Sequence, residues 1–187
     1  RTCARVVYLG QDKPDKLSEV LSSSSWMTAD NRFHMQHWYE LESRGELLLY
    51  QGDDAFEEAV KGFDEYFKAL NRSLLLRVNI VRVVAGWLQA RLLLACAERM
   101  PIDKRKPYLA QAKRIAKRIS REHLPYASVY VALIRAAVFF QTENFRRADS
   151  HLRQAMLRAE SSDMRFVAVV ARRRRGELDK FLQDGES

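Results

Sequence analysis

Glycine, proline and cysteine are all scarce in this chain. Seven Gly and four Pro in 187 residues leave few turn clusters at strand spacing, which argues against a many-stranded sheet and for long helices. The glycines form no GxGxxG or GxxxxGK[ST] pattern, so neither of the loops that cradle phosphate with backbone N–H groups is present. The two cysteines, Cys3 and Cys96, lie far apart in unlike contexts. They make neither a disulfide framework nor a metal cluster, and a reducing, cytoplasmic setting is expected. The start RTCARVVYLG lacks both an initiator Met and a long apolar run with a small-residue cleavage site, so it reads as a cut from a longer polypeptide and not as a secretory leader. Uninterrupted apolar runs are missing as well. The stretch SLLLRVNIVRVVAGWLQARLLLACA is broken by Arg77, Asn79, Arg82, Gln89 and Arg91; at ~2.5–3.5 kcal/mol for each charge at a bilayer centre, it reads as a soluble helix, with no membrane.

Material for a core is abundant. Hydrophobic residues make up 47% of the chain, with three Trp, seven Tyr and nine Phe, and the length suffices for one sizeable domain. The net charge of +8 is unevenly spread: residues 1–100 hold 13 Lys+Arg and 14 Asp+Glu, whereas residues 101–187 hold 19 and 10. The whole basic excess therefore sits in the second part.

Apolar spacing and capping residues divide the chain. Residues 1–29 read as flanking helices and a loop: a helix end at 1–9, a second helix signalled by Asp12 and Pro14, then the Ser22–Ser25 tract. A first hairpin spans 30–71. Asp30 is expected to cap its first helix, which ends at Gly52, and Asp54 with Glu57 resembles a capping box for the second, where Phe56, Ala59, Val60, Phe63, Phe67 and Leu70 recur at helical steps. An enlarged second hairpin spans 73–123. Its first helix, from Ser73 to about Glu98, carries Val78, Val81, Val84, Trp87, Leu88, Leu92 and Ala95 on a broad arc and should be covered on most sides, with Gly86 among small residues that allow close approach. After Met100-Pro101, Asp103 is the expected cap of a basic helix. A third hairpin, 125–161, has Asn144 as the cap of its second helix, and Asp163 opens a terminal helix within 163–187.

Two segments repeat one pattern. Aligning GDDAFEEAVKGF with TENFRRADSHL pairs Phe56 with Phe145, Ala59 with Ala148, Phe63 with Leu152 and Tyr50 with Phe139. Ala112, with Ala116 and Ile119, takes the same role in the middle unit. The alanines lie 53 and then 36 residues apart, against about 34 for the tetratricopeptide period. With Ala136 and Phe139 on a first helix and Ala-x-x-x-large apolar on a second, the chain resembles a tetratricopeptide-like helical repeat array. The resemblance implies an all-α fold, a right-handed stack of antiparallel helical hairpins forming a single α-solenoid domain over 1–187. It departs from the consensus in lacking the paired Trp and Gly positions and a repeat-ending Pro. The ending VARRRRGELDKFL is similar to closing segments of repeat regions in large bacterial regulators that join a Ser/Thr kinase or ATPase module to such repeats.

Residues able to carry chemistry are few. His34 and His37 sit at i and i+3 without a clear third ligand, and His123 and His151 read as structural or solvent-facing. Asp53, Asp54, Glu57 and Glu58 are explained by a capped helix start and its dipole. No nucleophile–base pair can be assembled, so no enzymatic activity, metal or cofactor is expected. On the basic helix, Lys106, Lys113, Arg114, Lys117, Arg118 and Arg121 crowd the polar face; they read as a solvated surface or as the footprint of an acidic protein or nucleic acid. Arg172–Arg175 point around all sides of their helix and should in part pair with acidic neighbours.

The functional expectation is a non-enzymatic protein–protein interaction or scaffold domain of a bacterial signalling or transcriptional regulator. By the resemblance, the first helix of each hairpin lines a concave face drawing on Leu41, Arg44, Leu48, Gln51, Tyr130, Leu133 and Phe140. Several of these are apolar, so a partner protein or peptide, a domain of the same polypeptide or a second copy should cover part of the face. The alternative is a nucleic-acid-binding domain using the basic helix 104–121.

Overall fold

The computed structural model describes residues 4–23, 32–52 and 56–184. Among these residues there are nine α-helices and no strand: α1 Ala4–Gly10, α2 Pro14–Ser22, α3 Met35–Gln51, α4 Phe56–Arg72, α5 Asn79–Arg99, α6 Lys106–Ile119, α7 Pro125–Gln141, α8 Phe145–Ser161 and α9 Arg165–Asp184. The fold is all-α, and the helices pack mostly with their neighbours in sequence. Two compact units result, residues 1–88 and 89–187, the division falling within α5.

Three tight corners share one local mechanism. Lys13, Asn144 and Met164 donate their backbone N–H to the carbonyls of Tyr8, Phe139 and Ala159, each at 2.8 Å. Asp12, Glu143 and Asp163, one residue earlier, donate to Leu9, Phe140 and Glu160 and take positive φ of 53–56°. These paired bonds are the Schellman closure of a helix C-terminus, which satisfies two otherwise orphaned carbonyls. Asp12 and Asp163 thus terminate the preceding helices, where the sequence reading has them open the following ones. Gly52 ends α3 in the left-handed region as expected, and Asn144 caps α8 by accepting from the Arg147 N–H.

Other boundaries move for similarly local reasons. Helix α3 starts at Met35, where His34 takes an extended conformation and His37 Nδ1 accepts from the His34 N–H at 2.9 Å, one half of a reciprocal capping box between the two histidines. This accounts for both rings structurally. Ser73 caps a 3-10 turn, Leu74–Arg77, so α5 begins only at Asn79. Asp103 lies in a second 3-10 turn, Ile102–Lys104, ahead of α6. The expected caps Asp30 and Asp54, and Cys3, Asp53, Ser24 and Ser25 with them, lie outside the described residues.

In unit 1, α1, α2 and α3 pack on one another around Leu17, Leu21 and Leu47, with Ala4, Tyr8 and Leu9 against them. Trp38, Leu41, Phe56 and Leu70 are also buried there. Gly45 of α3 faces Leu88: a methyl group at Gly45 would stand 2.9 Å from Leu88 Cδ1, so the missing side chain permits the approach. Helix α5 is long and apolar enough, by length and composition, to cross a membrane. From Val81 to Ala97, however, no residue is exposed, so the protein itself covers this apolar surface. Val78, expected on the covered arc, is exposed instead, and the buried set includes Val83, Ala85, Leu93, Leu94 and Cys96.

Unit 2 is organised by small residues. Helices α7, α8 and α9 meet in three layers: Val129, Ala159 and Ala168; Ala132, Ala155 and Ala171; and Ala136, Ala148, Leu152 and Leu178. Numbers rise along α7 and α9 and fall along α8 from layer to layer, so α8 runs antiparallel to both. Leu133 packs against all three layers. The remaining arc of α7 meets α6, whose buried face is Leu109, Ala112, Ile115, Ala116 and Ile119. Of the repeat-matched positions, Phe56, Ala112, Ala148 and Leu152 are buried, whereas Ala59, Phe63, Phe139 and Phe145 are half-buried.

Candidate cationic groove

Packing of α6, α7 and α8 creates a furrow in unit 2. The positions follow from helical spacing: on α8, Arg147, His151 and Arg158 stand at i, i+4 and i+11 and share one arc; on α6, Lys106, Lys113 and Lys117 do the same. Between these walls α7 supplies the floor. One concavity of about 390 Å³ is lined by residues that include Ile119, Pro125, Val131, Arg135 and Arg158. A second, of about 310 Å³, is lined by Lys113, Ala116, Ile134, Arg135, Val138, Phe139 and His151. Arg135 borders both, and the two concavities are treated together as one furrow along α7.

The furrow is electropositive: among the described residues, no Asp or Glu lines either concavity. The Phe139 and His151 rings stack, with centroids 5.3 Å apart and planes within 5°, and Arg147 lies 5.4 Å from the centre of the Phe139 ring. Burial holds the His151 imidazole below its ordinary pKa of 6.5, and Arg135, Arg158 and Arg147 push the same way, against a hydrogen bond that the imidazole makes to Gln154. His151 Nδ1 is buried without a hydrogen-bond partner among the described residues.

The basic residues of unit 2 fall into two groups. On α9, Arg172 pairs with Glu160 at 2.8 Å, Arg173 and Arg174 with Glu177 at 2.9 and 2.8 Å, and Arg175 with Asp149 at 2.7 Å. All four are engaged within the chain. Lys106, Lys113, Arg114, Lys117 and Arg118 on α6, and Arg121 in the 3-10 turn Ser120–Glu122 that follows it, are exposed, and none has a carboxylate within ion-pair distance among the described residues.

The residues assigned to a concave face take varied positions. In unit 1, Leu41 is fully buried and offers a partner no surface, Leu48 is half-buried and Gln51 is exposed. Arg44 pairs with Glu40 at 2.7 Å and donates to the Leu21 carbonyl. In unit 2, Tyr130 is half-buried, Leu133 serves the alanine layers, and Phe140 meets Phe145 and Phe181 edge-on, at 5.8 Å in each case. Tyr130 and Leu133 stand on other arcs of α7 than Arg135. Of these residues the sequence reading singles out Lys113 and leaves Arg135, Arg147, His151 and Arg158 unassembled. The periodic spacing of Arg147, His151 and Arg158 along α8 is the available signal; Arg135, on α7, has none.

Among the described residues, no three His, Cys, Asp or Glu side chains converge on a common point. In comparisons with known proteins, no family model, no curated protein and no solved structure matches this chain.

Proposed function

We propose that this chain is a non-enzymatic protein-interaction domain, built as a right-handed stack of tetratricopeptide-like helical hairpins and serving as a scaffold in a cytoplasmic bacterial regulator. The observation that carries the reading is the contrast between α9, whose arginines are neutralised within the chain, and the α6–α8 face, whose cations are not. Unpaired surface cations left around an apolar floor suit docking of another polypeptide. The antiparallel α7–α8–α9 layers fit hairpin stacking, in which successive hairpins bury one core and leave a long side surface open. Selection of a random peptide display library on the immobilised chain tests this. Enrichment of peptides that bind the folded but not the heat-denatured chain is expected, and failure to enrich any overturns the reading.

A second reading, nucleic-acid binding through helix 104–121, is favoured by the exposed stripe of Lys106, Lys113 and Lys117. Binding to an oligodeoxynucleotide should then weaken steeply with salt and be lost on Lys113→Glu with Lys117→Glu. Affinity indifferent to either change removes it.

A further inference from the structure

Resting on the interaction-domain reading, we infer that the α6–α7–α8 furrow is the docking site for an extended acidic polypeptide segment with apolar side chains between its carboxylates. The rim and floor have different chemistry. Lys113, Arg135 and Arg158 stand along the furrow with no carboxylate among its described lining residues, while Leu124, Pro125 and Phe139 are the apolar lining side chains that remain accessible, over a buried floor of Val131, Ile134 and Val138. A segment that alternates acidic and apolar residues satisfies both, because successive side chains of an extended chain point to opposite sides. Its carboxylates replace the counter-charge that the fold does not supply, and its apolar side chains fill the two concavities on either side of Arg135.

A nucleic acid fits this surface less well. Base recognition along a single strand needs free aromatic faces, yet the only aromatic carbocycle lining the furrow among the described residues, Phe139, is already stacked on His151 and has Arg147 over its ring. The apolar floor has no use for a phosphate backbone. The site also differs from a concave face made by first helices alone, since both of its walls, α6 and α8, are other helices than α7, which supplies the floor.

The probe is a short fluorescein-labelled peptide in which Glu alternates with Leu and Val. Companion probes replace every Glu by Gln, replace every apolar residue by Ser, or are an oligodeoxythymidylate of equal charge. Fluorescence anisotropy on the full chain should show binding of the Glu/Leu/Val peptide, at least tenfold weaker binding of each companion, and about a tenfold loss or more on Arg135→Glu. Arg165→Glu, on α9 and outside the furrow, should change nothing. Circular dichroism melts confirm that both variants fold, which is expected because Arg135 and Arg165 are exposed. Equal binding of the Gln peptide, tighter binding of the oligonucleotide, or indifference to Arg135→Glu overturns the inference. If display-selected peptides still bind the Arg135→Glu chain undiminished, the furrow is wrong while the interaction-domain reading stands. If no peptide binds at all, both fall.

Discussion

Arg5 and Glu42 meet in a two-point ion pair, Nη1 to Oε2 at 2.6 Å and Nη2 to Oε1 at 2.7 Å, which ties α1 to α3 in unit 1. The Glu42 side chain is only 9% exposed. Burial raises its pKa above the ordinary 4.5 even though Arg5 pulls it down.

Removing the arginine leaves a buried carboxylate alone. Arg5→Met is therefore expected to destabilise unit 1 by about 3 kcal/mol at neutral pH. A raised carboxylate pKa means that protonation favours the fold. This contribution is complete below about pH 4.5, the unfolded value, and is lost as pH rises through the folded value. The deficit of Arg5→Met should accordingly shrink on acidification. All three tryptophans lie within residues 1–88, so tryptophan fluorescence in urea titrations at neutral and acid pH reports this unit.

Helix glycines separate by what surrounds them. A methyl group added at Gly62 or Gly176 meets nothing within 4 Å, whereas at Gly45 it meets Leu88. Gly62→Ala and Gly176→Ala should each stabilise by about 0.5–1 kcal/mol. Gly45→Ala should show no such gain, because overpacking opposes it. Thermal melts of the three single variants make the comparison, and equal gains at all three positions would contradict the described approach of Leu88.

The left-handed corners offer an independent check. Glu143 and Asp163 hold positive φ without being glycine, a conformation that costs a side chain roughly 1–2 kcal/mol. Glu143→Gly is expected to stabilise unit 2 by up to about 1 kcal/mol after the added freedom of the unfolded chain is subtracted. Amide hydrogen exchange in α7 and α8 reads the change.

His151 reports on the furrow directly. The charged groups around it are Lys113 of α6, Arg135 of α7, and Arg147 and Arg158 of α8. A lowered imidazole pKa means that its contribution to stability is present above about pH 6.5 and is lost as pH falls through the folded value. Arg135→Gln should move the His151 titration upward, but not fully to 6.5, because burial is the larger cause. Proton NMR titration of the His151 ring measures it, and an unmoved titration would mean that Arg135 does not face the imidazole.

Legibility in the sequence tracked how many helices a feature needs. Signals with one local task are legible: Gly52 as a helix end and Asn144 as a cap, while the arginines 172–175, expected to pair in part, all pair. Asp12 and Asp163 were misplaced because aspartate serves both helix starts and left-handed corners, and only the closing hydrogen bonds distinguish the two. The start of α3 was missed because His34 and His37 cap through imidazole nitrogens, outside the usual Ser, Thr, Asp and Asn vocabulary. The furrow was least legible. Lys113, Arg135 and His151 come from three helices, and no single periodicity contains them all.

The alanine layers of α7, α8 and α9 bear on how a ligand would be held. Alanine has no side-chain rotamers to freeze, so these helices reach a short spacing without losing side-chain entropy and leave few alternative packings for the wall and floor that carry His151 and Arg135. Unit 2 should behave as a stiff template, with the ordering entropy of association falling on the incoming segment. Affinity would then respond more to preorganising the ligand, by cyclisation or a well-placed proline, than to lengthening it.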